Sequence, residues 1–181
     1  MKSKPIRLTG TSYAVLALFD QCGGEATSYE LKQALDASIQ NFWPVPHTTA
    51  YEEPARLAKG GYLTARQEEG GRRKRIYALT EAGREALREW AADPSASPPQ
   101  LKEEAVLKVF AGAESKELWE SRVAWHRAKL EELSAYLDGL TDLEDVEQAR
   151  RTLLIGIGYT EKMLELLESL AQMAEDVSAR G

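Results

Sequence analysis

Between Pro46 and Leu79 the chain spells out a local layout with little freedom. A helical run ends at Gly60-Gly61, and a short strand, Tyr62-Leu63-Thr64-Ala65, follows it. A Gly70-Gly71 turn then carries four consecutive cations, Arg72 to Arg75, into a return strand, Ile76-Tyr77-Ala78-Leu79. Glycine pairs supply the backbone freedom that helix ends and hairpin tips require, so both turns are fixed by sequence. Upstream, Thr11 to Gln21 is apolar on most faces, as for a helix buried centrally in a small domain, and Cys22-Gly23-Gly24 stops it. Thr27-Ser28-Tyr29-Glu30 is a capping box opening a helix over about Ser28 to Ala37, with Leu31, Ala34 and Leu35 on one face. The prolines of Phe42-Trp43-Pro44-Val45-Pro46 make a loop, and a third helix runs from about His47 to Lys59. Thr80 caps a fourth helix, Glu81 to about Ala91, in which Ala82, Leu87 and Trp90 can turn inward.

Three helices followed by a basic hairpin form the layout of a winged helix-turn-helix, which lays its third helix in the major groove and its wing on phosphates. The expected DNA contacts are His47, Thr48, Thr49 and Tyr51 on the leading turn of the third helix, then Arg56 and Lys59 one and two turns on. Arg72, Arg73, Lys74 and Arg75 complete the set at the wing, where strand alternation points one or two of the four away.

A net charge of −6 argues against nucleic acid only until its distribution is considered. Residues 1–92 carry 13 Lys and Arg against 11 Asp and Glu, whereas the remainder carries 10 against 18. Positive charge is concentrated at one turn, and an acidic second half would be held away from a polyanion. The 43% hydrophobic content supports an ordinary core. No apolar run approaches a membrane span, and the basic N-terminus lacks the apolar stretch of a signal peptide. A lone cysteine, Cys22, excludes an internal disulfide framework and suits a reducing compartment, so a soluble cytoplasmic protein is expected.

Asp93 to Gln100 is small, polar and proline-rich, and reads as a linker between a domain over 1–92 and another over 101–181. Everything beyond is helical. Glu103 to Phe110 is a short amphipathic helix. From Trp119 the apolar positions step by four and three through Val123, His126, Leu130, Leu133, Leu137 and Leu140, which is a heptad seam. Thr141-Asp142-Leu143-Glu144 is a second capping box, and the last helix, to about Val177, bears a seam through Leu153, Gly156, Thr160, Met163, Leu167 and Leu170. Leu154, Ile157 and Leu164 give it a second apolar edge. The two long helices form an antiparallel pair within the chain or meet a second copy. Dimerisation is expected through Leu130, Leu133 and Leu137 of one helix and Leu153, Ile157, Leu164, Leu167 and Leu170 of the other, because two helices alone bury little.

Five segments in register resemble the PadR-type transcriptional regulators. They are Leu8-Thr9 with Thr11-Ser12-Tyr13-Ala14-Val15-Leu16, then Ser28-Tyr29-Glu30-Leu31, then Phe42-Trp43-Pro44, then Tyr51 ahead of Arg56-Leu57 and Gly61-Tyr62-Leu63, and lastly Arg75-Ile76-Tyr77 with Leu79-Thr80 and Gly83-Arg84. The resemblance covers about the first 90 residues. It implies a homodimeric repressor with a winged helix-turn-helix for double-stranded DNA and a C-terminal helical domain for dimerisation, released in some relatives by a small hydrophobic or phenolic compound. The operator would be a pseudo-palindrome with half-sites one helical turn or a multiple apart. Two departures stand out. Glu52 and Glu53 follow Tyr51 where the family usually has basic or neutral residues, and Pro54 replaces an apolar core residue, so the third helix is expected to be distorted there. A winged-helix interaction module that has lost DNA binding is the alternative.

Trp125, off the main seam, is the leading candidate for stacking on an effector, followed by Trp43 and Trp90; core or interface packing is the competing role for each. Two histidines and one cysteine make no recognisable metal site, Gly70-Gly71 lacks the residues of a nucleotide-binding loop, and the carboxylates follow helix-surface spacing. Neither a cofactor nor catalysis is expected.

Overall fold

A computed structural model of the chain describes residues 6–67, 74–100, 102–113, 115–140 and 146–178. The chain divides into two units, one up to Ser97 and one from Pro98. The fold is mainly helical with a small antiparallel sheet.

The first unit is built around α1 (Gly10–Gln21). Thr9 and Ser12 cap its start reciprocally, each side chain meeting the other's backbone N–H. This box has serine where a glutamate is usual, which hid it from the sequence reading. Val15, Leu16, Leu18 and Phe19 are buried, so the helix is enclosed, as its all-round apolarity predicts. Gly23 and Gly24 end it with φ of 78° and 92°. A three-residue strand, β1 (Glu25–Thr27), leads into α2 (Ser28–Ala37), whose Leu31 and Leu35 close on the core. The Thr27–Glu30 capping box forms as its spacing predicts.

After a short 3-10 turn over Ile39–Asn41, α3 spans Thr49–Gly60 and Gly61 ends it at φ 84°. Pro54 lies inside this helix, fully buried. The helix runs through it without a break, and the ring serves as a core side chain beside Ala50 and Leu57. The backbone loses only the bond that the Ala50 carbonyl would accept.

β2 (Leu63–Gln67) and β3 (Arg75–Leu79) form the hairpin, and β1 joins its other edge, so the sheet order is β1-β3-β2. The expected two-stranded hairpin is thus a three-stranded sheet. β1 is too short to show a period. Thr80 ties the pieces together. Its hydroxyl lies 2.8 Å from the Gly61 carbonyl and 3.0 Å from that of Tyr62, and it accepts from the Gly83 N–H at the start of α4 (Glu81–Ala92).

In the second unit, α5 (Glu104–Phe110) precedes two long helices, α6 (Lys116–Gly139) and α7 (Glu147–Ser178). The capping box expected at Thr141–Glu144 lies outside the described residues. α6 and α7 are antiparallel, with Lys116 2.7 Å from Glu175 and Arg127 2.5 Å from Glu168. Trp119, Val123, Leu133 and Leu167 are buried along the seam. Leu164 and Leu170 pack beside them, and Leu130, Leu137, Leu153 and Ile157 are partly buried. Of the eight leucine and isoleucine positions expected to meet a second copy, Leu133 and Leu167 are buried within the chain and Leu164 and Leu170 pack beside Leu167, while Leu130, Leu137, Leu153 and Ile157 keep part of their surface exposed. None of the helices described is long and apolar enough to cross a membrane.

Replacing Pro54 with Ala restores a good helix former, worth about 3 kcal/mol. It removes two buried methylenes at about 0.8 kcal/mol each. Stability in urea should rise by about 1 kcal/mol, whereas Leu57→Ala should cost about 2–5 kcal/mol. If both variants lose stability alike, the proline ring's packing outweighs its helix cost.

Candidate nucleic-acid interface

The helical period divides α3 into three surfaces. Ala50, Pro54 and Leu57 face the core, while Thr48, Tyr51, Glu52 and Lys59 are exposed along the opposite side. Tyr51 is 52% exposed and so belongs to the outward stripe. The first-turn amides of Thr49, Ala50 and Tyr51 donate to the carbonyls of Pro46, His47 and Thr48. They are spent on the turn itself, so any contact from this end falls to side chains. Thr48 makes no side-chain cap bond, and His47 stands 70% exposed with Nδ1 3.6 Å from an Asp36 oxygen.

Arg56 and Glu53 lie on the flank between these surfaces. The Arg56 guanidinium donates to both oxygens of Glu53 at 2.8 and 2.6 Å, to the Ser12 hydroxyl at 2.7 Å and to the Arg7 carbonyl at 3.0 Å. Burial disfavours the Glu53 carboxylate, but hydrogen bonds from Arg56 and Ser12 and the guanidinium charge outweigh it and hold the group below the usual carboxylate value. Of the two carboxylates that disturbed the sequence pattern, only Glu52 faces outward.

The wing's alternation is resolved by its register. Arg75 pairs with Gln67 and Tyr77 with Ala65. Arg75, Gln67, Arg66 and Lys59 line a shallow groove of about 500 Å3 between α3 and the sheet. Lys74 lies on the other face with Ile76, Thr27 and Glu30. Glu30 is held below its ordinary value by the Thr27 backbone and hydroxyl, and the Lys74 charge adds to this. Thus Lys59 and Arg75 converge while Lys74 is turned aside towards a carboxylate. Arg72 and Arg73 lie outside the described residues. Arg66 borders the groove, but the register pairs it with Ile76 on the Lys74 face, where its guanidinium contacts both oxygens of Glu25 at 3.2 Å.

Residues 15–89 match the family described as "Transcriptional regulator PadR-like family". Over these residues the chain is similar to that family. It is 27% identical to the negative transcriptional regulator PadR of Bacillus subtilis over 135 residues, 71% of this chain and 73% of the relative. A crystal structure of that PadR in complex with operator DNA superposes with a TM-score of 0.78 at 22% identity, covering 93% of this chain and 99% of that one. Its complex with p-coumaric acid superposes at 0.70 and 21% identity, with 93% and 99% covered. The family's members in these comparisons are transcriptional regulators, not enzymes.

The tryptophans proposed for an effector divide between the units. In the first, Trp90 stacks on Tyr13 with centroids 4.7 Å apart and planes 6° from parallel. The Trp43 indole sits over Gly10, where an added Cβ would fall 2.5 Å from the ring. Each has therefore found a packing partner, although 48% of Trp90 and 45% of Trp43 remain exposed. Trp125, in the second unit, is 48% exposed and lies under the Arg122 guanidinium at 4.8 Å, with the Lys129 ammonium 5.9 Å from its ring centre. His126 is buried beside it with neither ring nitrogen hydrogen-bonded. Burial, and then the Arg122 charge, push its pKa down, so it is neutral at physiological pH.

Because the folded Glu53 carboxyl titrates below its unfolded value of about 4.3, its contribution is present above that pH and is lost as pH falls through the folded value. Urea unfolding measured from pH 5 to pH 3 should therefore show a shallower loss of stability in Glu53→Gln than in the wild type. Parallel curves would mean that the Glu53 ion pair contributes nothing.

Proposed function

We propose that this protein is a homodimeric repressor that grips a pseudo-palindromic operator with α3 and the wing and is released by a small hydrophobic or phenolic ligand. The observation that carries the reading is the meeting of Lys59 and Arg75 in one groove beside the exposed stripe of α3. Two cations from different elements at one cleft suit a phosphate, while Thr48 and Tyr51 offer donors to base edges or backbone. His47 and Thr49 flank that stripe, and Lys74, Arg72 and Arg73 supply diffuse positive charge at the wing. That a B. subtilis relative was solved in complex with operator DNA supports DNA binding as the role. Arg56 is left out of the contact set, because its guanidinium is already bonded within the fold.

Dimerisation uses a face other than the seam. Ile155, Tyr159, Leu166 and Met173 are 74%, 56%, 53% and 63% exposed, and their spacing of four, seven and seven puts them on one stripe of α7. A second copy laying the same stripe against it would bury a continuous apolar surface. For the effector, Trp125 offers an indole face with two cations close by, which suits a planar aromatic carboxylate, in keeping with the p-coumaric acid complex of the relative.

Fluorescence anisotropy with duplex from the gene's own upstream region, across a range of salt, tests the DNA reading. Neutralising Lys59 and Arg75 to Gln should each lower the log–log salt slope by about 0.9. A dimer with a flat slope would favour the interaction-module alternative. Light scattering of Ile155→Glu/Leu166→Glu should give a monomer, with operator affinity down by at least about a hundredfold through lost bivalency. A variant that stays dimeric places the interface elsewhere.

A further inference from the structure

The Glu53–Arg56 pair flanks Pro54, just C-terminal to the turn of α3 that lacks its backbone bond. It is a two-pronged contact: Arg56 Nε to Oε2 at 2.8 Å and Nη2 to Oε1 at 2.6 Å. An exposed pair three residues apart on a helix would add only a few tenths of a kcal/mol. This one is sunk into the fold. The Glu53 side chain is 13% exposed, and the Ser12 hydroxyl that receives Nη2 at 2.7 Å belongs to a fully buried residue. That hydroxyl also accepts the Thr9 N–H at 2.8 Å and lies 3.1 Å from the Thr9 hydroxyl, so it is part of the α1 cap. Nη1 donates to the Arg7 carbonyl at 3.0 Å, just ahead of α1. One guanidinium thus joins α3 to the N-terminus of α1 and to the chain leading into it.

We propose that Glu53 and Arg56 are positioning residues for DNA recognition. They form a clasp that fixes the rotation and tilt of α3 on α1, and neither touches the DNA. The outward residues lie on both sides of Pro54, with Thr48, Tyr51 and Glu52 before it and Lys59 after it. A helix missing a central backbone bond can let those two groups drift relative to each other. The clasp pins the helix on either side of the proline, at Glu53 and Arg56, to one buried anchor. The planar guanidinium fork makes this possible, since its donors reach the carboxylate, a hydroxyl and a carbonyl at once. The Glu53 charge is thereby consumed and does not oppose phosphate.

This inference rests on the DNA-binding reading, and the test separates the two. Wild-type protein is first titrated with duplex from its own upstream region and with a scrambled duplex over a range of salt. Failure of the wild type to bind either duplex overturns that reading and this one with it. With wild-type binding established, Arg56→Gln, Glu53→Gln, the double variant and Arg56→Lys are compared. Each single change should weaken binding to the upstream duplex about tenfold while leaving the scrambled duplex within about twofold. The salt slope should stay at the wild-type value, the double variant should be no weaker than the weaker single, and lysine should not rescue. A slope lower by about 0.9 in Arg56→Gln would make that residue a phosphate contact and overturn the proposal. Tighter binding by Glu53→Gln, or additive losses in the double variant, would overturn it equally. Circular dichroism checks folding. If Arg56→Gln unfolds, Ser12→Ala replaces it, with a smaller loss confined to the upstream duplex expected and no loss overturning the proposal.

Discussion

The surface proposed for DNA depends on three buried side chains behind it. Ala50, Pro54 and Leu57 seat α3 on the core, and their spacing leaves Thr48, Tyr51, Glu52 and Lys59 on the far side. The same seating brings the end of α3 to Gly61, from which Thr80 holds the start of β2 and the start of α4. The wing's position is inherited through that threonine. A fault in the packing of α3 would therefore propagate to the sheet as well as to the helix.

Proline serves an unusual purpose in this arrangement. It is a poor choice for helix propensity and an adequate one for volume, and the fold retains it as a buried residue. The cost falls on backbone geometry at a single turn, and next to it Glu53 and Arg56 tie the helix by their side chains to Ser12 and Arg7. Stability and recognition are thus separable here. The former comes from apolar burial, the latter from the orientation of a surface that burial alone leaves free to rotate.

Much of the fold was legible because its signals are local. The Gly23-Gly24 and Gly60-Gly61 stops, the Thr27 capping box and the four-three spacing of α6 each act within a few residues, and each produced the element expected. β1 was not legible, being defined by its pairing with β3 and not by its own three residues. At the interface, the sequence supplied the candidates but not their directions. Whether Glu53 opposes phosphate or grips Arg56, and which of Lys74 and Arg75 faces α3, are set by contacts across 44 residues in one case and by strand register in the other. The long helices repeat this pattern. Their heptads are plain, but a heptad does not say whose helix it meets, and here the seam closes within the chain.

The basic run at the wing has a further consequence. Strand pairing is held by Tyr77, the buried residue of β3, and Lys74 and Arg75 fall on opposite faces because they are consecutive. In a wing that alternated one cation with one neutral residue, a slip of one position would turn its charge away from the helix. In an unbroken run, the same slip puts another cation in the vacated place. The wing is therefore tolerant of errors in its own alignment, while α3, with Glu52 beside Tyr51 and a single lysine about two turns further on, has no such redundancy. If the wing and α3 act on DNA as proposed, drift in sequence leaves attraction to phosphate largely intact and alters which operator is chosen.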